Sequence, residues 1–196
     1  MDEKRLYFIG ILTPSLLTEK ADSIKEEFAR RFQSRHALKV PTHITLQEPF
    51  SWKRPEESKL RIALEEFFAK FGSIQIACNG FGSFRNRSGP VIFIQVLKNP
   101  ILSQLRHELI LFLRDNEFIR EASTTIQPSN HSTIRPAFNP HITLANRDLT
   151  MDNFLLAWSE FSKREFEYEF MVENVHLLRH DGKIWEPIFG FELKKN

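Results

Sequence analysis

Four residues of this chain can move protons or hold an anion, and they come as two matched pairs. His43 and Thr45 stand in the run His43-Ile44-Thr45-Leu46, and the same tetrapeptide returns 98 positions later as His141-Ile142-Thr143-Leu144, each copy with a proline just upstream (Pro41, Pro140). On a β-strand, side chains at i and i+2 share a face. Each copy would therefore present an imidazole beside a hydroxyl on one face and give Ile and Leu to a core on the other. If the two copies meet across a cleft, one neutral imidazole can take a proton from water or a hydroxyl while the other, protonated, donates to a leaving oxygen. The threonine hydroxyls can donate to non-bridging phosphoryl oxygens. That set suits in-line transfer or hydrolysis of a phosphodiester without metal, above all a strained cyclic one.

The elements that must position these pairs repeat as well. In the first half, Leu6 to Leu12 reads as a short buried strand. Thr13-Pro14 is an N-cap and first-turn proline for a helix to about Arg35, with an apolar stripe of Leu17, Ala21, Ile24, Phe28 and Phe32. His43 to Glu48 reads as a strand ended by Pro49, and a second helix runs from about Pro55 to Phe71. Ile74, Ile76 and Cys78 alternate along a further strand, and the Gly-rich stretch from Asn79 to Pro90 divides the chain.

The second half gives a strand from Val91 to Leu97 and a helix capped by Asn99-Pro100. A long polar segment from Asp115 to Asn139 follows, then the His141 strand. A helix from Thr150 turns Met151, Phe154, Leu155 and Trp158 inward, and a strand alternates Phe166, Tyr168, Phe170 and Val172. Asp181-Gly182 makes a hairpin turn into a last strand. Both halves thus read strand, helix, His-strand, helix, strand.

The chain has 196 residues, 41% hydrophobic and 27% charged, the profile of a globular protein with a real core. A net charge of +2 gives no global signature for a polyanion partner, so any anion site is local. The single cysteine, Cys78, excludes an internal disulfide and any CxxC motif and fits a reducing cytosol. No apolar run near the start is long enough to span a bilayer. The 19 Phe are the one oddity of composition.

Two HxTx motifs on strands, one per half and about a hundred residues apart, resemble those of the two-histidine (2H) phosphoesterase superfamily. The form is most similar to its 2′-5′ RNA ligase-like and cyclic phosphodiesterase branches, and His43-Ile-Thr-Leu-Gln-Glu-Pro-Phe50 is similar to the first motif of bacterial members. The resemblance covers nearly the whole chain. It implies an α+β fold of two pseudo-symmetric lobes, about 1–84 and 91–196, whose antiparallel sheets flank a central cleft within a single bilobal domain. It also implies that His43 and His141 are the acid/base pair and that Thr45 and Thr143 bind phosphate. The implied chemistry is opening of 2′,3′-type cyclic phosphates, or reversible formation of 2′-5′ linkages in RNA, with no metal and no cofactor. The partner expected is a nucleotide or an RNA-end phosphodiester. The chain departs from many ligase-like members after the second motif: Leu144-Ala145-Asn146 follow Thr143, and the first basic residue is Arg147.

Further candidates lie around the motifs. Phe50 is a candidate base-stacking surface, and Arg147, Arg85 and Arg135 are candidate phosphate contacts. Residues 123–139 are a candidate substrate lid. Arg30, Arg31, Arg35 and His36 read as a solvated helix end, and His107 and His131 as surface positions. His176 and His180 have H-x3-H spacing, but on a strand entering a turn they are too far apart for one ion. Two other readings stand beside the enzyme: a nucleotide- or RNA-binding protein that keeps the cleft without useful turnover, and a zinc site built from His43, His141 and His176. The expected setting is a cytoplasmic monomer with no membrane association.

Overall fold

The structure is a computed structural model that describes residues 3–86, 89–119 and 138–195. Among the described residues eight strands form one antiparallel sheet: β1 (Lys4–Leu12), β2 (His43–Lys53), β3 (Ile74–Asn86), β4 (Gly89–Val96), β5 (His141–Ala145), β6 (Glu167–Val172), β7 (Asn174–His180) and β8 (Trp185–Glu192). Their order is β6-β3-β4-β5-β2-β1-β7-β8. Among the described residues four helices, α1 (Ser15–Arg31), α2 (Glu57–Phe68), α3 (Pro100–Asp115) and α4 (Met151–Phe161), cover one face. The expected α+β fold is thus what the chain adopts. Among the described residues no helix is long and apolar enough to cross a membrane.

The two His-strands lie side by side at the middle of the sheet, joined where Ile44 pairs with Ile142. Outward from that junction the order is β2-β1-β7-β8 on one side and β5-β4-β3-β6 on the other. Strands from both sequence halves cross over. β3, from the first half, pairs with β4 and β6, and β7, from the second, pairs with β1. Neither half, 1–84 or 91–196, closes a sheet of its own.

Alternation decides what each face carries. Tyr7, Ile9, Ile11, Ile44, Leu46, Ile92, Ile94, Ile142 and Leu144 point to the helix side and are all buried. The abundance of Phe is spent there as well. Phe161 of α4 packs on Phe28 of α1 at 4.7 Å and on Phe81 of β3 at 5.3 Å, and Phe67 stacks on Phe112 at 4.7 Å.

Several boundaries differ from the sequence expectation, each for a local reason. β2 does not stop at Pro49. Between the pairs Tyr7↔Phe50 and Ile9↔Gln47, β1 has one residue and β2 has two, so Glu48 and Pro49 form a bulge that accommodates the missing N–H. Thr13 is not the α1 cap, which is Pro14; its hydroxyl and N–H reach the Thr42 carbonyl instead. Asn99 does cap α3, accepting from the Leu102 N–H. The α1 and α2 ends fall short of Arg35 and Phe71 because both helices close in tighter turns. The Gly-rich stretch belongs to a β3–β4 hairpin rather than a linker. On α4 the buried stripe is Phe154, Ala157 and Phe161, while Met151 and Leu155 are exposed.

Candidate active site

The Ile44↔Ile142 pairing fixes the geometry of the site. An antiparallel register through that pair sets His43 opposite Thr143 and Thr45 opposite His141, on the sheet face away from the helices. Directly opposed residues have Cβ atoms about 4.5–5.5 Å apart, so two imidazole–hydroxyl pairs interlock across the β2–β5 junction. His43, Thr45 and Thr143 line a cleft of about 480 Å³. His141 lies in the same register, near enough for its charge to bear on His43.

Each imidazole is held in the same way. His43 Nδ1 lies 2.6 Å from the Pro41 carbonyl and His141 Nδ1 lies 2.8 Å from the Asn139 carbonyl. A carbonyl only accepts, so both Nδ1 atoms carry hydrogen and both Nε2 atoms are left for proton transfer. The turns upstream of each motif, prolines included, supply these carbonyls. The Thr45 hydroxyl donates to His43 Nε2 at 3.1 Å. A phenylalanine from the neighbouring strand backs each ring: Phe8 of β1 lies 4.7 Å from His43 and Phe93 of β4 lies 4.9 Å from His141. Gly10 is a consequence of this packing, since a Cβ there would stand 2.9 Å from the Ile44 carbonyl oxygen and 3.5 Å from His43 Cδ2.

Burial is the main influence on both rings. It pushes the His43 pKa down to about 4, opposed by the hydrogen bond to Pro41 and assisted by the charges of Lys25 and His141. Burial also lowers His141, against the hydrogen bond to Asn139 and the attraction of Glu48.

The cleft walls are cationic. Lys25 from α1, His36 and Lys39 from the 3-10 turn His36–Lys39, Arg147, and His180 and Lys183 from the β7–β8 hairpin line it, and among the described residues no Asp or Glu does. Asp148 locks the wall by accepting from the Ser34 hydroxyl and the Arg35 and His36 N–H groups at 2.8–2.9 Å. Trp185 packs edge-on against Phe8 at 4.8 Å and against His180 at 5.0 Å.

Sequence reasoning placed some of these residues and missed others. Arg147 does reach the cleft, but through a turn with φ of 56° after β5 has ended, not by strand alternation. Phe50 is 2% exposed and packs against Tyr7 on the core face, so it offers no stacking surface. The Arg85 guanidinium lies over the Phe154 ring, 5.4 Å from its centroid, and is not among the cleft residues. Arg135, His131 and most of the candidate lid lie outside the described residues. His36 is a cleft wall, not a solvated helix end. His176 sits on β7 between Gly10 and Gly190, and no three His, Cys, Asp or Glu among the described residues converge as a metal site. Lys25, Lys39, Lys183, Phe8, Phe93 and Trp185 were not anticipated. Only Lys25 left a signal, a lysine in line with Leu17, Ala21 and Phe28 on the buried stripe of α1.

An α+β protein with two histidine–threonine pairs on adjacent central strands is the architecture of a two-histidine phosphoesterase. The 2′-5′ RNA ligase superfamily matches residues 13–184, and the chain belongs to it. A Geobacillus kaustophilus protein that carries a provisional phosphoesterase name is 29% identical over 174 residues, 88% of this chain and 86% of that one. Among solved structures, TT0787 of Thermus thermophilus aligns over 97% of this chain and 99% of its own, with a TM-score of 0.65 and 19% identity. LigT of Escherichia coli in complex with 3′-AMP aligns over the same shares, with a TM-score of 0.61 and 18% identity.

Proposed function

We propose that this phosphoesterase hydrolyses 2′,3′-type cyclic phosphodiesters of nucleotides or RNA ends, with 2′-5′ phosphodiesters as the related substrate, by metal-independent acid/base catalysis between His43 and His141. The observation that carries the reading is the interlocked pair of imidazoles, each with Nδ1–H on a main-chain carbonyl and Nε2 left for proton transfer.

In the proposed reaction, water attacks phosphorus and gives its proton to one Nε2. The bond from phosphorus to one ring oxygen breaks, and that oxygen takes a proton from the other imidazolium, leaving a monophosphate. Thr45 and Thr143 donate to the non-bridging oxygens, where charge builds in the transition state. Binding of the anion turns the Thr45 hydroxyl toward phosphate and releases His43 Nε2. The cationic wall, with no carboxylate on it, favours an anionic ligand, and LigT has been solved with 3′-AMP and with phosphate.

The test is a panel of 2′,3′-cyclic nucleotides and 2′-5′-linked dinucleotides assayed with EDTA present. Turnover should persist in EDTA and fall by about 10²–10⁴-fold in His43→Ala and in His141→Ala. Loss of activity on chelation, or full activity in either variant, would overturn the mechanism.

A further inference from the structure

The two halves of the site are alike in backbone but not in charge. Behind His43 lies Lys25, 3% exposed on α1. Its ammonium donates to Thr42 Oγ1 at 2.5 Å, Asp22 Oδ1 at 2.9 Å and the Val40 carbonyl at 3.4 Å. Thr42 in turn donates to Asp22 at 2.7 Å, and its carbonyl accepts from Thr13. This network pins residues 40–42, the segment whose Pro41 carbonyl orients His43. The group near His141 is of opposite sign: Glu48, turned out to solvent at the β2 bulge.

We propose that Lys25 is a positioning residue for His43: its buried network fixes the segment that orients the first imidazole, and its charge, opposed by Glu48 near His141, makes His43 the base and His141 the acid in hydrolysis. A buried ammonium costs several kcal/mol to desolvate unless it is fully hydrogen-bonded. Here its three donors have three acceptors, which keeps the cation in place beside the cleft. The ionisable groups facing His43 besides Lys25 are His141 of β5, His36 and Lys39 of the 3-10 turn, Arg147, and His180 and Lys183 of the hairpin. β1 presents no ionisable group there: Phe8 and Gly10 lie against the ring, Leu12 pairs with His43 and Leu6 lines the cleft. None of these is a carboxylate; the one carboxylate in the network, Asp22, sits on the ammonium itself and reduces but does not reverse the influence of Lys25 on the ring. Burial lowers both imidazoles, and the two charges act on top of it in opposite directions, Lys25 lowering His43 and Glu48 raising His141.

The acid/base assignment rests on the proposed hydrolysis; the electrostatic part does not, and the experiment separates them. In ligand-free protein labelled with ¹⁵N-histidine, NMR titration should show His43 losing its proton at lower pH than His141. Lys25→Met should move His43 upward by about half a unit to one unit and leave His141 in place. Lys25→Arg, which keeps the cation, should leave His43 near its wild-type value. Glu48→Gln, at an exposed position that leaves packing intact, should lower His141 alone. If the two rings titrate together, or respond equally to each change, the proposal fails, and Glu48→Gln decides this even if Lys25→Met does not fold.

The roles are then read from a cyclic substrate whose scissile bridging oxygen is replaced by sulfur, a leaving group that departs without a proton. His141→Ala should recover most of its deficit on that substrate and His43→Ala should not. The reverse pattern would overturn the assignment. Absence of turnover on every cyclic substrate, with the titrations as expected, would refute the hydrolysis reading and with it the acid/base roles, while the charge effect of Lys25 stands.

Discussion

The pH dependence of turnover follows from the burial of the two imidazoles and can be worked through in sign and size. In the proposed mechanism the productive free enzyme has one neutral and one protonated ring. With His43 at about 4 and His141 below its ordinary 6.5, that form is most populated between those values. The ratio kcat/KM on a cyclic nucleotide should therefore rise about tenfold per pH unit below about 4 and fall about tenfold per unit above the His141 value. At pH 8 it should be down at least about thirtyfold from its maximum. A bound phosphodiester places a negative charge near both rings. At about 4 Å and an effective dielectric constant of about 20, each contact is worth about 4 kcal/mol, or up to about three pKa units. The kcat profile should therefore sit well above the kcat/KM profile on the pH axis. Initial rates from pH 3.5 to 9 at constant ionic strength give both curves. A kcat/KM that still rises through pH 8, or kcat and kcat/KM profiles that coincide, would refute the two-imidazole scheme as placed here.

Three further outcomes test other parts of the structure. Thr45→Val and Thr143→Val each remove one proposed donor to the phosphoryl oxygens and should lower kcat by about 10²-fold; an effect confined to KM would show that the hydroxyls bind ground state and transition state alike. Gly10→Ala drives a methyl to 2.9 Å from the Ile44 main-chain oxygen, which cannot move aside without parting β1 from β2. It should cost about 1–3 kcal/mol in urea unfolding, and wild-type stability would show that the strands are not this close. Glu27 accepts both Arg164 guanidinium nitrogens at 2.7–2.8 Å, which with Arg31 lowers its pKa to about 2. Its folded value lies below its unfolded one, so its contribution is complete above about 4.5 and is lost as pH falls toward 2. The full shift would be worth about 3 kcal/mol, but the arginines are 36% and 43% exposed. Glu27→Gln should therefore cost about 1–2 kcal/mol at pH 7 and little at pH 2.

What could be read from the chain was whatever has a short period. Alternation within each tetrapeptide put Ile and Leu in the core and His and Thr on the other face, and the repeat of element order brought out the α+β architecture. Features made between distant segments left no such trace. Phe8, Phe93 and Trp185 look like any other apolar strand residue until β1, β4 and β8 take their places in the sheet. Pro49 reads as a strand end because a bulge depends on the partner strand. The α4 stripe was misjudged because Met151, Leu155 and Trp158 fit helical spacing as well as Phe154, Ala157 and Phe161 do, and only the packed partners Phe28 and Phe81 decide between them. Lys25 was legible in part, as a charge on an apolar stripe, but its acceptors Thr42 and Val40 lie well downstream.

The exchange of β3 and β7 changes what the repeat means for the site. Had each half folded alone, the two motifs would meet at a surface free to slide or open. Here β3 leaves the first half to flank β4, and β7 leaves the second to flank β1, while α1, which follows β1, packs on β5 and α3, which follows β4, packs on β2, so any separation of His43 from His141 would strip both helices from the strands they cover. The Ile44↔Ile142 pair at the centre needs little pairing of its own, because the continuous core behind it and the helices α1 and α3 that bridge it hold the two strands together. A rigid junction of this kind pre-organises two imidazoles and two hydroxyls. In the proposed reaction it also lets unlike side chains at equivalent places, the buried Lys25 beside one ring and the exposed Glu48 beside the other, divide the proton work of a symmetric backbone.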